Sequence, residues 1–336
     1  MMTDNKYKIL IISTTFLEVL EPYFSNLKKN GYEVYADSKW LDTGLDVEVF
    51  KKFLPEIDAI IMGGQTITES QLKIASKLKV VSLACSGYEF LDLPLLSEFG
   101  IIVTNTPILE MAAPVADLAF GFMLSLARQI PRYDRLSKRG LHERGFGEMV
   151  WGKTLGIIGL GMIGKEVAKR GRGFSMRVIA NDIFRDDTFS KQWNVKYVSL
   201  DDIMSESDYI SVHLRLNENT KNFISQKELA LMKPTSCLIN TARRQIVDGN
   251  ALYRCLIDRK IFGAALDFGG EGDKIYDKIY KLDNVIVTPH LGNRSMESVH
   301  AVQECAVKNV LDVLNGKMPE HVINKEVFEE NKVRSF

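Results

Sequence analysis

The sequence predicts an α/β fold with two doubly wound domains, each built on a parallel sheet. Two series of short apolar runs, separated by helix-like segments, divide the 336 residues. Runs such as residues 7–13 (YKILIIS) and 59–62 (AIIM) are apolar throughout, which is typical of strands buried on both faces. Alternation of such strands with helices predicts parallel sheets covered on both faces. At 46% hydrophobic composition, the chain is long enough for two cores.

The first series of elements ends near residue 105. Its strands are predicted at residues 7–13, 33–36, 59–62, 80–84 and 101–104. Helices are predicted over residues 16–30, which Gly31 ends, and from Glu69, which Thr68 caps. Loops of small residues follow two of these strands, at 63–66 (GGQT) and 85–87 (CSG). Ligands bind beyond the carboxyl ends of parallel strands, so both loops are candidate binding segments.

The second series begins at Lys153. A long apolar helix over residues 110–127, a break at Pro131, a charged helix and a loop over 140–151 come before it. Its strands are predicted at residues 155–158, 177–180, 196–198, 209–214, 236–240, 263–267 and 285–288. The last helix, 295–314, belongs to a tail of about forty residues, which is too small to be a domain. The sequence therefore predicts a discontinuous first domain, 1–105 and 291–336, and an inserted domain, 106–290, with the ligand site in the cleft between them.

A glycine-rich turn follows the first strand of the second series. Gly159 permits a tight turn, Gly161 leaves room for a pyrophosphate, and Gly164 lets the following helix pack closely on the strand. The helix N-terminus favours phosphates. Asp182 ends the next strand, where a carboxylate can bind a ribose and repel a 2′-phosphate. The turn predicts a Rossmann-like dinucleotide site that favours NAD over NADP, a preference that Arg185 weakens.

Charge and composition argue against other classes of protein. Lys+Arg and Asp+Glu are both 43, so no net charge attracts nucleic acid or an anionic membrane. No secretory signal and no apolar run of about 18–20 residues is expected, so the protein is expected in the cytoplasm. The four cysteines lack CxxC spacing and are expected to be reduced, with no structural metal site.

Several motifs, in order along nearly the whole chain, resemble the D-isomer-specific 2-hydroxyacid dehydrogenases. They are NTP, VADLAFGFMLSLAR, GIIGLGMIG, SVHL, LINTARRQIVD, GAALD and VTPHLG. The resemblance implies a flavodoxin-like, discontinuous substrate domain with an inserted NAD-binding Rossmann domain. It also implies a reversible NAD-dependent reduction of a small 2-oxo acid to a D-2-hydroxy acid. A homodimer is implied as well, with a dimerisation arm over about residues 106–150.

The resemblance assigns the chemistry to two residues. Arg243 is expected to bind the 2-oxo acid, because a guanidinium fork matches a carboxylate and polarises the neighbouring carbonyl. His290 is expected to protonate the carbonyl oxygen as general acid. Glu271 is the candidate that holds and charges His290. The family glutamate lies one position later, at Gly272 here, so Asp273 or an altered relay stays open as an alternative.

Further contacts follow from the same resemblance. Cofactor contacts are expected from Gly159, Gly161, Met162, Ile163, Gly164, Asp182, His213, Thr241, Ala242, Asp267 and Gly292. Substrate contacts are expected from Gly64, Cys85, Ser86, Gly87 and Arg243. Arg215 and Arg244 stand where the family often has proline and glycine; they either suit an anionic substrate or point to solvent.

Two other interpretations stay open. Some relatives are transcriptional corepressors, so a non-enzymatic NAD-sensing protein is the alternative, favoured by the unusual glutamate loop and opposed by Arg243 and His290. A phosphoglycerate dehydrogenase is disfavoured, because loop 63–66 lacks a basic residue and the sequence ends at Phe336 without a regulatory domain. The sequence does not identify the 2-hydroxy acid.

Overall fold

The chain folds into two compact units. A computed structural model describes residues 7–12, 17–36, 47–270, 273–330 and 332–334. One unit comprises Met1–Met111 and Ser295–Phe336, and the other comprises Ala112–Arg294. Each unit contains one sheet, so the chain forms two separate α/β units and not one continuous sheet.

Both sheets are parallel throughout their described strands. The first has five strands in the order β2-β1-β3-β4-β5, which is the flavodoxin-like order. The second has seven, in the order β12-β11-β10-β9-β6-β7-β8. The strands are β1 (Lys8–Ile12), β2 (Glu33–Tyr35), β3 (Ala59–Met62), β4 (Val80–Leu83), β5 (Ile102–Thr104), β6 (Thr154–Ile158), β7 (Arg177–Asn181), β8 (Val195–Tyr197), β9 (Tyr209–Val212), β10 (Cys237–Asn240), β11 (Gly263–Leu266) and β12 (Val285–Val287). The predicted α/β fold class is confirmed.

Helices connect the strands. They are α1 (Leu17–Lys29), α2 (Val47–Phe53), α3 (Glu69–Ile74), α4 (Leu93–Glu98), α5 (Leu109–Arg128), α6 (Ile130–Lys138), α7 (Met162–Gly173), α8 (Asp187–Trp193), α9 (Leu200–Glu206), α10 (Gln226–Leu229), α11 (Gly249–Ile257), α12 (Lys274–Ile279), α13 (Met296–Leu314) and α14 (Glu326–Glu329). Two 3₁₀ turns lie at Leu54–Glu56 and Arg244–Ile246. The short helices α2, α4, α8, α12 and α14 escaped prediction, because fewer than two turns carry too few apolar positions to show a period.

The last long helix packs back on the first sheet, as the sequence predicts. The hydroxyl of Ser82, in β4, donates a hydrogen bond to the Ala306 carbonyl, in α13, at 3.0 Å. Val310 and Val313 of α13 are fully buried in the same core as Ile9 and Ile61 of the sheet. Residues from both ends of the sequence therefore build one core.

Helix α5 corrects one expectation. Among the described residues, it is the single helix long and apolar enough to span a membrane by length and composition, whereas no such run is expected from the sequence. Half of the apolar stretch in this helix is buried within the protein. There, Ala116, Phe120 and Met123 pack in one core with Leu155 and Ile157 of β6. Its apolar side chains thus belong to the core of the second unit.

Strands β9 and β11 of the second sheet end earlier than predicted. β9 ends at Val212 and β11 at Leu266, so His213 and Asp267 lie just beyond the sheet. Strand order reverses between β6 and β9, which is where doubly wound sheets bind ligands. The polar residues singled out in the sequence therefore lie at the carboxyl edge of this sheet.

Candidate functional site

The three glycines of the turn between β6 and α7 have different surroundings. Gly159 has φ of +92°, and a Cβ there would lie 2.8 Å from the His213 carbonyl oxygen. A Cβ on Gly164 would lie 2.1 Å from the Gly159 carbonyl oxygen. A Cβ on Gly161 would meet no described protein atom within 4 Å. Two glycines thus allow close packing, and Gly161 faces open space, which fits a pyrophosphate at the helix N-terminus.

Replacing Gly164 by alanine is expected to lower stability by about 1–3 kcal/mol and to weaken NADH binding about tenfold or more, because the added methyl group overlaps backbone. Gly173, the last residue of α7, is the matched control, since its Cβ would meet no described atom within 4 Å. Gly173→Ala should leave NADH affinity unchanged. Thermal unfolding and NADH fluorescence titration measure both; equal losses in the two variants would contradict this role for Gly164.

Asp182 lies against the glycine turn. Its Oδ2 accepts a hydrogen bond from the Leu160 backbone N–H at 2.6 Å, and its Oδ1 accepts one from the Phe184 N–H at 2.8 Å. The Arg185 guanidinium lies over the Tyr197 ring, 5.5 Å from its centroid. The Asp182 carboxylate at the turn fits an unphosphorylated ribose, because it would repel a 2′-phosphate.

The side chains that begin α7 are partly accessible. Met162 is the first residue of the helix and is 43% exposed. Ile163 is partly buried and packs against the core that contains Val167. Both follow the open position at Gly161, so the structure brings these predicted cofactor residues together with the turn.

His213 lies beside the glycine turn, where its carbonyl oxygen is 2.8 Å from the Cβ position of Gly159. Its Nε2 lies 2.8 Å from Ser211 Oγ, and its Nδ1 lies 3.4 Å from Thr241 Oγ1. Desolvation by burial lowers the pKa of His213 to about 3. An imidazole that is neutral at neutral pH is a poor general acid, which fits a packing role beside the cofactor rather than proton transfer.

Arg243 lies on a turn that Asn240 fixes. The buried Asn240 ends β10, and its Nδ2 donates a hydrogen bond to the Arg243 carbonyl at 3.0 Å. Its Oδ1 accepts one from the Ala242 N–H at 2.9 Å. Arg243 Nη1 also donates to the Ala242 carbonyl, at 2.9 Å. Asn240 stands out in the sequence as a polar residue at the end of a strand, but no contact with the Arg243 turn was expected of it.

Asp267 holds the turn that carries His290. Its Oδ1 accepts hydrogen bonds from Thr288 Oγ1 at 2.5 Å and the Leu291 N–H at 2.7 Å, and its Oδ2 accepts one from the Gly292 N–H at 2.7 Å. The side chain is only 2% exposed. Asp267 and Gly292 are expected at the cofactor from the sequence; in the structure the hydrogen bonds of Asp267 to Thr288, Leu291 and Gly292 fix the shape of the His290 turn.

His290 has a left-handed backbone conformation. Its φ is +58°, and its N–H donates a hydrogen bond to the Thr288 carbonyl at 3.0 Å. A non-glycine residue in this region carries strain that neighbouring contacts must offset. The Asp267 hydrogen bonds on both sides of His290 supply such contacts.

Three neighbouring strands bring the candidate catalytic residues to one edge. Arg243 follows β10, Asp267 follows β11 and His290 follows β12, and these strands are adjacent in the sheet. Adjacent strands are about 4.8 Å apart, so the ends of β10 and β12 are about 10 Å apart.

The acidic loop is only partly described. Glu271 and Gly272 lie outside the described residues. Asp273, the alternative acid, is the N-cap of α12, where its Oδ1 accepts a hydrogen bond from the Ile275 N–H at 3.1 Å. An aspartate that caps a helix has a structural reason to be there, so Glu271 stays the preferred candidate.

The substrate loops predicted in the first unit follow adjacent strands. Loop 63–66 follows β3 and loop 85–87 follows β4. Asn105 Nδ2 donates a hydrogen bond to the Ser86 carbonyl at 2.8 Å, and the Thr106 N–H donates one to the Cys85 carbonyl at 3.2 Å. Cys85 Sγ donates to the Gly87 carbonyl at 3.3 Å. The backbone of loop 85–87 is therefore anchored. In loop 63–66, a Cβ on Gly64 would meet no described atom within 4 Å.

Comparison with known proteins identifies the family to which this fold belongs. Residues 120–292 match the D-isomer specific 2-hydroxyacid dehydrogenase, NAD binding domain. The chain is 36% identical over 310 residues to a glyoxylate reductase of Pyrococcus horikoshii, covering 89% of this chain and 91% of that protein. It is 38% identical over 265 residues to a hydroxypyruvate reductase of Thermotoga maritima, covering 77% and 85% of the two chains. The fold resembles D-lactate dehydrogenase from Aquifex aeolicus, complexed with NAD and lactic acid, with a TM-score of 0.82, 28% identity, and coverage of 94% and 98%.

The chain belongs to the D-isomer specific 2-hydroxyacid dehydrogenase family.

Membership establishes the reaction class. This 2-hydroxyacid dehydrogenase is an NAD-dependent oxidoreductase that interconverts 2-oxo and 2-hydroxy acids. The cofactor is NAD(H), for which the open position at Gly161 and the carboxylate of Asp182 provide a fitting site. The predicted family, fold and enzyme class are confirmed, and the non-enzymatic alternative is not carried further.

Proposed function

We propose that this dehydrogenase reduces a small, unphosphorylated 2-oxo acid of the glyoxylate and hydroxypyruvate class. The observation that carries the proposal is the placement of Arg243 and His290 after β10 and β12, on either side of the buried Asp267. The names of the relatives point to the same substrates. Loop 63–66 contains no lysine or arginine to bind a phosphate, which supports an unphosphorylated acid.

In the proposed mechanism, Arg243 binds the substrate carboxylate and polarises the adjacent carbonyl. A guanidinium presents two parallel N–H donors, so it fixes the plane of the 2-oxo acid as well as its charge. Bound NADH supplies the hydride. His290, protonated at the ring nitrogen facing the substrate, donates that proton to the carbonyl oxygen. Asp267 keeps His290 in place through the turn, and Glu271 stabilises the imidazolium.

We also propose where the remaining contacts lie. The cofactor contacts are Gly159, Gly161, Met162, Ile163, Gly164, Asp182, His213, Thr241, Ala242, Asp267 and Gly292. The substrate contacts are Gly64, Cys85, Ser86, Gly87 and Arg243. In this proposal loop 85–87 contributes backbone N–H groups to the substrate carboxylate, and the hydrogen bonds that its carbonyls accept from Asn105 and Thr106 keep the loop in place. No metal ion takes part in this proposal.

We propose a cytoplasmic homodimer without nucleic-acid or membrane partners, in which residues 106–150 form the dimerisation arm. We also propose that residues 1–105 and 291–336 form the substrate domain and residues 106–290 the NAD-binding domain. Loop 139–149 exposes several apolar side chains, and Phe146 is 97% exposed. Exposed apolar side chains on one loop mark a surface that another chain covers. Light scattering tests this point, since a monomer at assay concentration would overturn it.

The substrate proposal is tested by turnover. Purified protein is mixed with NADH and glyoxylate, hydroxypyruvate, pyruvate or phosphohydroxypyruvate, and NADH absorbance is followed. We expect glyoxylate or hydroxypyruvate to give the highest kcat/KM and phosphohydroxypyruvate the lowest. NADPH should support turnover more weakly, because Asp182 repels a 2′-phosphate. Preference for the phosphorylated acid, or no turnover of the first two, would overturn the proposal.

A further inference from the structure

The hydroxyl of Tyr276 contacts the turn that carries Arg243. Its oxygen lies 2.8 Å from the Arg244 carbonyl and 3.2 Å from the Val247 carbonyl, and the O–H donates to both. These carbonyls begin and end the stretch after Arg243, and the Val247 N–H itself bonds to the Arg244 carbonyl at 3.2 Å. Asn240 therefore contacts the turn at the end of β10, and Tyr276 contacts it at its other end, after Arg243.

The Tyr276 ring has little freedom to move. Its side chain is 3% exposed, and its ring meets Phe268 edge to face, with centroids 5.5 Å apart. Gly249, the first residue of α11, lies directly behind the ring: a Cβ there would approach Tyr276 Cε2 to 2.9 Å. Packing of the ring therefore restricts where the hydroxyl can lie against the turn.

The same aromatic residues reach the turn that carries His290. The Tyr280 hydroxyl donates to the Phe268 carbonyl at 2.9 Å, and its ring centroid lies 5.9 Å from that of Tyr276. Phe268 directly follows Asp267, whose carboxylate holds the His290 turn. Phe268, Tyr276 and Tyr280, here named the aromatic trio, thus join the Arg243 turn to the residue that orders the His290 turn.

We propose that Tyr276 is a positioning residue for Arg243, acting through its hydrogen bonds to the Arg244 and Val247 carbonyls. These hydrogen bonds set the position of the turn and so aim the guanidinium at the substrate carboxylate. The inference rests on the proposed role of Arg243 and adds a second layer to it. Burial of the phenol raises the pKa of Tyr276, so the hydroxyl stays protonated and keeps donating throughout the working pH range.

The test compares Tyr276→Phe, which removes only the hydroxyl, with Tyr209→Phe. Tyr209 is a buried tyrosine of the same unit at the amino end of β9, away from the turn. We expect Tyr276→Phe to raise KM for the 2-oxo acid about 3- to 10-fold, the worth of one hydrogen bond, while NADH affinity stays within about twofold. Tyr209→Phe should change neither. An unchanged KM in folded Tyr276→Phe would overturn the proposal.

A second variant tests the same position without removing the hydroxyl. Gly249→Ala pushes a methyl group against the Tyr276 ring, so it should raise KM for the 2-oxo acid in the same direction. Unfolding temperatures are measured for all variants, and assays are run well below the lowest of them. If Gly249→Ala raises KM for the acid and lowers NADH affinity equally, the effect is general loosening and the proposal fails.

A double-mutant cycle separates this inference from the proposed function. In an Arg243→Lys background the fork is already lost, so adding Tyr276→Phe should lower kcat/KM by less than about twofold. Equal effects of Tyr276→Phe in both backgrounds would show that it does not act through Arg243. If Arg243→Lys itself leaves kcat/KM unchanged, the proposed role of Arg243 fails instead, whatever Tyr276→Phe does.

Discussion

Replacing His290 by asparagine is expected to lower kcat about 10²- to 10⁴-fold while leaving NADH affinity within about twofold. Asparagine carries no titratable proton, so the general acid is removed. It also tolerates the left-handed region better than other non-glycine residues, so the backbone at φ +58° is preserved. Steady-state kinetics and NADH titration measure the two quantities. Equal losses in both would contradict the role of His290.

The matched variant is His290→Ala, which removes the same proton but adds strain. An alanine in the left-handed region costs about 1–2 kcal/mol more than in the right-handed one. We therefore expect His290→Ala to match the asparagine variant in kcat and to unfold at a lower temperature. This pair separates loss of the proton donor from loss of the turn.

The pH dependence of reduction tests which acid supports His290. If Glu271 stabilises the imidazolium, its replacement by glutamine should lower the pH at which reductive activity is lost on the alkaline side. Asp273→Asn should leave that limb in place and act only on the stability of α12, whose N-terminus Asp273 caps. A shift with Asp273→Asn and none with Glu271→Gln would assign the acid to Asp273.

Replacing Arg243 by lysine is expected to lower kcat/KM about 10²- to 10³-fold, because lysine keeps the charge but not the fork. Each charge-assisted hydrogen bond contributes about 1.5–3 kcal/mol, and the contact to the carbonyl strengthens as negative charge develops on its oxygen. Initial rates over a range of 2-oxo acid concentrations measure the loss. NADH affinity should change little.

Arg244 provides the matched control for Arg243. It carries the same side chain one residue later, and its positive charge acts on Tyr276 and Tyr280, opposing the rise in their pKa that burial causes. Its guanidinium is therefore close to the aromatic trio. We expect Arg244→Lys to keep kcat/KM within about threefold. A larger loss at Arg244 than at Arg243 would exchange the roles of the two arginines.

The sequence predicted the strands, their parallel pairing and the residues that follow them, because buried parallel strands show as continuous apolar runs and polar residues stand out at their ends. A discontinuous first domain was expected as well, because a C-terminal tail of about forty residues is too small to be a domain of its own. The glycine turn could be interpreted residue by residue, and Gly159, Gly161 and Gly164 have the three surroundings that the motif requires.

Contacts between side chains and distant turns could not be predicted. Nothing in the sequence around Asp267 indicates that its two carboxylate oxygens accept hydrogen bonds from residues 288, 291 and 292. The same holds for Tyr276 and the carbonyls about thirty residues before it. Such contacts depend on how one loop lies over the next, which hydrophobic periodicity does not encode.

The hydrogen bonds that Asp267 accepts from residues 288, 291 and 292 limit which residues this turn can contain during evolution. The donor from Leu291 is a backbone N–H, so position 291 can drift among all residues except proline without losing that hydrogen bond. Position 288 needs a hydroxyl. Position 292 has no room for a side chain, because a Cβ there would lie 2.9 Å from Asp267 Oδ2 and 3.3 Å from Val115 Cγ2. A library randomised at these three positions and selected for activity should keep serine or threonine at 288 and glycine at 292, while 291 diversifies.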